Sequence, residues 1–253
     1  MTSTTTTTAA RERTRSAPPA RPYTVLSCCM SIDGYLDDAG PERLLLSNAA
    51  DFDRVDAERA ASDAVLVGAE TVRRDNPRLV VRSADRRALR AARGRTASPV
   101  KVVVTRSGQL DPGAAFFTEG ASERLVYCPT GAVASARDRL AGVATVVDAG
   151  PDGGLDAVLA DLAVRGVARL VVEGGASIVT QVLLSGLADE LQLAVAPLFV
   201  GDSRAPRLVG DGAFPWSADR RATLASVEQV GDVALLRYAL SNRFAPVVDG
   251  DEA

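Results

Sequence analysis

Residues 170–179 read LVVEGGASIV, an apolar, partly β-branched run that reaches an acid at Glu173, then two glycines, then helical spacing from Ala176. The run has the length of a buried strand, and the diglycine marks a turn tight enough to pass straight into a helix. Such a turn leaves backbone N–H groups at a helix N-terminus open to an anion, which suits the pyrophosphate of a dinucleotide. Glu173 stands at the strand's carboxyl end, where open α/β sheets bind ligands. The segment is not G-x-G-x-x-G, and the chain contains no G-x-x-x-x-G-K-[ST]. Taken alone, the diglycine reads more readily as a plain tight turn, and it is Glu173 beside it that shifts the weight toward a ligand site.

Outward from this unit, short β-branched runs alternate with longer helical ones, the pattern of an α/β layer fold. Strands are expected over 23–31, 64–68, 100–105, 124–128, 144–148 and 169–173, then over 190–197, 223–230 and 233–240. Runs such as VVV and LVV are apolar on both faces, which predicts central parallel strands covered by helices on both sides. The last two segments alternate and meet at Gly231-Asp232, a hairpin signal, so the mostly parallel sheet should end in antiparallel strands. Helices fit 49–61 behind the cap candidates Ser47 and Asn48, 155–164, 176–184 and, as a short piece, 84–93. One domain is expected over 23–242, after a Thr-rich, Pro-punctuated disordered arm over 1–22 and before a flexible tail over 243–253. The arm lacks the apolar core of a secretory signal, and its prolines oppose the helix of a transit peptide.

The 253 residues are 47% hydrophobic, 24% charged and 4% aromatic, an ordinary globular composition. No window approaches the ~20 consecutive apolar residues of a membrane helix. There is no histidine, and Lys101 is the one lysine. That removes Ser-His-Asp and Cys-His catalysis, histidine metal sites and nearly every lysine Schiff base, and favours an enzyme that borrows a cofactor's chemistry. Cys28, Cys29 and Cys128 form no C-x-x-C, so neither a disulfide framework nor a metal site is expected, and a reducing cytoplasm is the simplest home. A net charge of −3 signals no attraction to nucleic acid or membrane.

Two other strand ends carry chemistry. In 67–82, VGAETVRRDNPRLVVR, a strand runs into a polar turn bearing Thr71, Asp75 and Asn76 before Pro77. In 102–108, VVVTRSG, Thr105, Arg106 and Ser107 follow a buried strand, and a hydroxyl beside a guanidinium suits a monoester phosphate such as the 2′-phosphate of NADP. Consecutive Cys28 and Cys29 face opposite sides of a strand and read as small core hydrophobes. Asp33-Gly34 reads as a strand-ending turn, and the six arginines over 82–95 as a solvated helix or loop.

In combination, SCCMSIDGYLDD (27–38), LVGAETVRRDNPRLVVR (66–82), LVVEGGASIVTQVLL (170–184) and LADELQLAVAPLFVG (187–201) resemble the riboflavin-pathway pyrimidine reductases. These are the reductase domain of the bifunctional riboflavin deaminase-reductase and its free-standing relatives. The resemblance implies a dihydrofolate-reductase-like three-layer α/β fold, a homodimer and NADPH. It implies a ribosylamino-pyrimidine 5′-phosphate whose sugar opens to an imine and takes hydride at C1′. By matched motif, Cys29, Thr71, Asp75, Gly174, Gly175, Ala176 and Ser177 should face NADPH, with Thr105, Arg106 and Ser107 at its 2′-phosphate. Ser47, Asn48, Arg59, Leu79, Arg82 and Glu173 should face the substrate, the two arginines at its phosphate. Glu173 and Asp33 are the side-chain candidates for proton donor, beside water and the substrate itself. Ser27 stands where the bifunctional branch has lysine, Arg43 and Leu45 where it has serine and tryptophan, and Asn76 where D-D-P has its second Asp. These departures leave open a same-fold reductase for a pterin-like or specialised-metabolism substrate. The zinc signature of the deaminase half is absent from the sequence.

Overall fold

A computed structural model describes residues 21–40 and 43–244. The expected arm and tail fall outside them, except for Arg21, Pro22, Arg243 and Phe244. Nine strands form one sheet: β1 (Tyr23–Ser31), β2 (Ala64–Gly68), β3 (Val100–Val104), β4 (Arg124–Cys128), β5 (Thr145–Asp148), β6 (Arg169–Gly174), β7 (Glu190–Ala196), β8 (Thr223–Val230) and β9 (Val233–Ala239). The helices are α1 (Ala49–Ala61), α2 (Ala69–Asp75), α3 (Ala84–Ala92), α4 (Ala115–Thr118), α5 (Val133–Arg139), α6 (Leu155–Val164) and α7 (Ala176–Leu184).

The strand order is β5-β4-β3-β2-β6-β1-β7-β9-β8. Pairing is parallel from β5 to β7 and antiparallel from β7 through β9 to β8, as the sequence pattern predicts. The three layers follow from strand alternation. Leu26, Leu66, Val102, Leu125 and Leu170 pack on one face against Leu155, Val158, Leu159 and Leu162 of α6 and Ile178, Val179 and Val182 of α7. Val65, Val67, Val103, Val126 and Val171 pack on the other against Val72 of α2, Phe116 of α4 and Ala136 of α5.

The polar turn expected after β2 is instead the helix α2, whose seven residues bury Ala69 and Val72 and are too few to display a period. The four-residue α4 and seven-residue α5 likewise display no legible period.

Helix α1 joins the fold unusually, burying Asp51 and Asp56 rather than an apolar stripe. Asp56 accepts from the backbone N–H groups of Arg82 and Ser83. Arg54 donates to Asp51 and to Gln192 of β7 at 2.7 and 2.8 Å. Because β6 returns between β1 and β2, the chain leaves neighbouring strand ends in opposite directions, and a crevice opens above their carboxyl termini.

Candidate active site

That crevice is a cleft of about 590 Å³, within the span of small-molecule sites (roughly 300–1,000 Å³). The ends of β1, β2, β3 and β6 supply its floor through Cys28, Cys29, Gly68, Val104, Thr105, Glu173 and Gly174. Two helices start there, α2 after Gly68 and α7 after Gly175, and neither has a side-chain cap on its free N–H groups.

Glycine is required at both starts. Gly175 has φ +84°, and a Cβ there would lie 3.0 Å from Thr71 Oγ1, so its absence lets α2 and the diglycine close on one another. At Gly68 a Cβ would meet Ile178 Cγ1 at 2.8 Å. The result is a cradle of amides and one hydroxyl, a fitting receptor for a pyrophosphate.

At one end of the cleft, Thr105 is buried and its hydroxyl accepts from the Gly108 N–H. Ser107 accepts from the Gln109 N–H. Arg106, exposed, makes no hydrogen bond or ion pair with the described residues and is available for an anion. Toward β1, burial pushes the Cys29 thiol up to about 11 against the opposing pull of Ser47. Burial likewise raises Cys28, to about 12.

Glu173 lines the cleft with its carboxylate held by Arg59 of α1, whose Nε and Nη2 donate to the two oxygens at 2.6 and 2.5 Å. Arg59 also donates to the Val80 carbonyl. Burial alone would lower the Arg59 pKa, but Glu173 outweighs it and holds the guanidinium above its ordinary value. Asp75, half-buried at the end of α2, lines the same cleft and accepts no hydrogen bond from the described residues. Burial pushes its carboxyl up; Arg43 pulls it down, Asp37 pushes it up, and the net is above the ordinary carboxylate range.

Chain 22–236 matches the model of the RibD C-terminal domain. The chain belongs to that family. It is 30% identical to the Archaeoglobus fulgidus 2,5-diamino-6-ribosylamino-4(3H)-pyrimidinone 5′-phosphate reductase, over 88% of this chain and 99% of that protein. It is 32% identical to the reductase of the same name from Methanothermobacter thermautotrophicus, over 87% of this chain and 99% of that one. Among solved structures it matches Acinetobacter baumannii RibD with a TM-score of 0.70 and 26% identity, over 87% of this chain but 58% of RibD. The dihydrofolate-reductase-like fold is that of these RibD reductases.

Of the residues singled out in the sequence, Cys29, Ser47, Thr71, Asp75, Thr105, Arg106, Ser107, Glu173, Gly174, Gly175, Ala176 and Ser177 all line this RibD-type cleft. Five others do not. Asp33 accepts from Ser31 Oγ and from the N–H groups of Val200 and Gly201, so it clamps a loop outside the cleft. Leu79 is core, 2% exposed at φ +50°. Asn48 caps α1 through the Asp51 N–H and donates to Val230 and Asp232, pinning the β8–β9 turn. Arg59 lies behind Glu173, with its Nε and Nη2 paired to that carboxylate. Arg82 lies over the Phe52 ring and donates to the Phe52 carbonyl, with Phe52 itself on the cleft wall.

The sequence reading missed Asp37, Phe52, Asp152 and Gln181 as lining residues, and met Arg43 and Leu45 only as departures from the family. Asp37 lay inside a quoted motif. Asp152, brought in by the loop before α6, carried no local signal.

Proposed function

We propose that this chain reduces the ribose of 2,5-diamino-6-ribosylamino-4(3H)-pyrimidinone 5′-phosphate to a ribityl chain with NADPH in riboflavin biosynthesis. The observation that carries the reading is the Arg59-held Glu173 at the mouth of the uncapped Gly174–Gly175 turn, within one cleft with Thr71 and Arg106. The named substrate is that of the relatives whose whole length this chain spans. The deaminated uracil analogue is the second candidate.

When bound, NADPH supplies hydride. The chain's residues do the rest by position. The amides of Gly174–Ser177 and the start of α2 face the coenzyme's pyrophosphate, with Thr71 beside them. Arg106 faces the 2′-phosphate and selects NADPH over NADH. Glu173, kept an acceptor by Arg59, takes hydrogen bonds from the pyrimidine's amino groups. Arg82, which lies outside the cleft over the Phe52 ring of its wall, is the guanidinium assigned to the substrate phosphate.

Purified protein should consume NADPH, followed by absorbance, with the diamino substrate faster than with its deaminated analogue. Failure with both sinks the reading. The protein is further proposed to act as a cytoplasmic homodimer. The two-faced exposure of edge strand β8, with Leu224 and Val227 50% and 61% exposed, supports the pairing. Sedimentation equilibrium checks it. Among the described residues no helix is long and apolar enough to cross a membrane, and the three cysteines are unpaired.

A further inference from the structure

The proposed reaction consumes a proton as well as a hydride, and the cleft holds few groups able to give one. It has no histidine, lysine or tyrosine; its ionisable acids are five carboxyls and two thiols. Four of the carboxyls are occupied or remote. Both oxygens of Glu173 accept from Arg59. Asp37 accepts from the Asp38 and Leu44 N–H groups and faces Arg74 at 3.2 Å. Glu70 is largely exposed and paired with Arg73. Asp152 is exposed on the loop before α6. The two thiols hold their protons too tightly, at about 12 and about 11.

Asp75 alone is both sheltered and unpartnered among these. It closes α2, where the carbonyl-rich helix end disfavours negative charge. Thr71, one turn earlier on the same face, abuts Gly175, so the carboxyl lies roughly 6 Å along the helix axis from the proposed coenzyme cradle. Arg43 and Cys29 line the same cleft as Asp75.

We propose that Asp75 is the general acid of the reduction, donating its carboxyl proton to the ribose ring oxygen as the sugar opens. This rests on the function proposed above and adds a catalytic task to a residue otherwise expected only to touch the coenzyme. The lone pair of the exocyclic nitrogen forms the C1′=N bond as the C1′–O4′ bond breaks. The electron pair of the broken bond stays on O4′, which takes the Asp75 proton and becomes a hydroxyl. C1′ of the resulting iminium then receives hydride from a dihydronicotinamide, leaving a neutral amine and an oxidised nicotinamide. Water reprotonates Asp75. The charges facing Asp75 are Arg43 and Asp37 from the loop after β1, and Arg74 and Glu70 from its own helix. Burial and the two acids outweigh the arginines, which keeps a protonated fraction at higher pH than an exposed aspartate would have.

The test compares Asp75→Asn and Asp75→Glu with the parent protein. Infrared difference spectra of the protein without ligands, assigned by their loss in Asp75→Asn, should show a carboxyl titrating above the ordinary aspartate range. Fluorescence titration separates loss of coenzyme binding from loss of chemistry: at saturating NADPH, Asp75→Asn should lower kcat by about 100-fold or more and Asp75→Glu should recover part of it. The parent's kcat should fall as pH rises through the Asp75 titration, and this limb should vanish in Asp75→Asn. An Asp75 carboxyl titrating at or below the ordinary value overturns the proposal. So does an Asn variant that keeps its kcat, or one whose defect is confined to NADPH binding. A parent protein inactive on both pyrimidines overturns the function reading, and with it this one. Activity in the parent with kcat kept in the Asn variant overturns this one alone.

Discussion

Glu173 and Arg59 act as one unit. Replacing the carboxylate by an amide puts a second donor against the guanidinium and leaves a part-buried charge without its counterion, so Glu173→Gln carries two expected effects. Turnover falls by about 100-fold with NADPH affinity nearly unchanged, a split that steady-state kinetics and ligand titration resolve. Stability falls by about 3 kcal/mol, measured in urea. Arg106 is the opposite kind of residue, exposed and without a partner among the described residues. Arg106→Ala should raise the Michaelis constant for NADPH about tenfold and leave that for NADH alone. Equal effects on both coenzymes remove Arg106 from the 2′-phosphate.

Among the elements, the two that matter most for the cleft are α2 and α7, which meet where Gly175 and Thr71 touch. A methyl group at Gly175 costs ~1 kcal/mol through its left-handed backbone and also presses on Thr71 Oγ1 at 3.0 Å. Gly175→Ala should therefore weaken NADPH binding about tenfold by calorimetry, because the amides it displaces are the anion receptor. Helix α1 depends on Asn48 for both its cap and its tie to the β8–β9 turn. Asn48→Ala should cost ~1 kcal/mol or more in a denaturation midpoint while leaving coenzyme affinity intact. The start of α7 was readable in advance, since Gly-Gly after LVV leaves little else for the chain to do. That of α2 was not. AETVRRD offers two apolar residues in seven, and it is their burial against β2 and β3 that decides for helix.

Across the whole molecule, the ends of the described chain meet at one buried carboxylate. Asp189 is fully enclosed and accepts from Arg21, Ser241 and the Thr24 N–H, with Arg243 3.3 Å away. Burial pushes this carboxyl up, but Arg21, Ser241 and Thr24 together outweigh it and hold it below the ordinary carboxylate range. Its stabilising contribution is then complete above the ordinary aspartate value and is lost as pH falls through the depressed one. Asp189→Asn should lower stability at neutral pH and flatten its decline in acid, which denaturation curves across pH will show. The same sheet end carries Glu190, which Arg237 and Tyr23 contact. A network of charges closes the domain where α1 and its aspartates stand in place of an apolar layer.

Composition and local spacing determined the α/β class, all nine strands, the hairpin at Gly231 and the Gly-Gly turn. These depend on apolar periodicity and backbone freedom, which neighbouring residues express without help from the rest of the chain. The motif resemblance also named twelve of the residues that line the cleft, from Cys29 to Ser177. Tertiary structure alone decided what each side chain is free to do. Asp33, Asn48, Leu79 and Arg59 look as available in the sequence as Asp75 does. Yet Val200, Val230, the apolar core and Glu173 claim the first four, and nothing described claims the fifth. Hydrogen-bond partners more than a hundred residues away, or a helix packed overhead, set whether a polar group has capacity left for a ligand, and no local window contains that information.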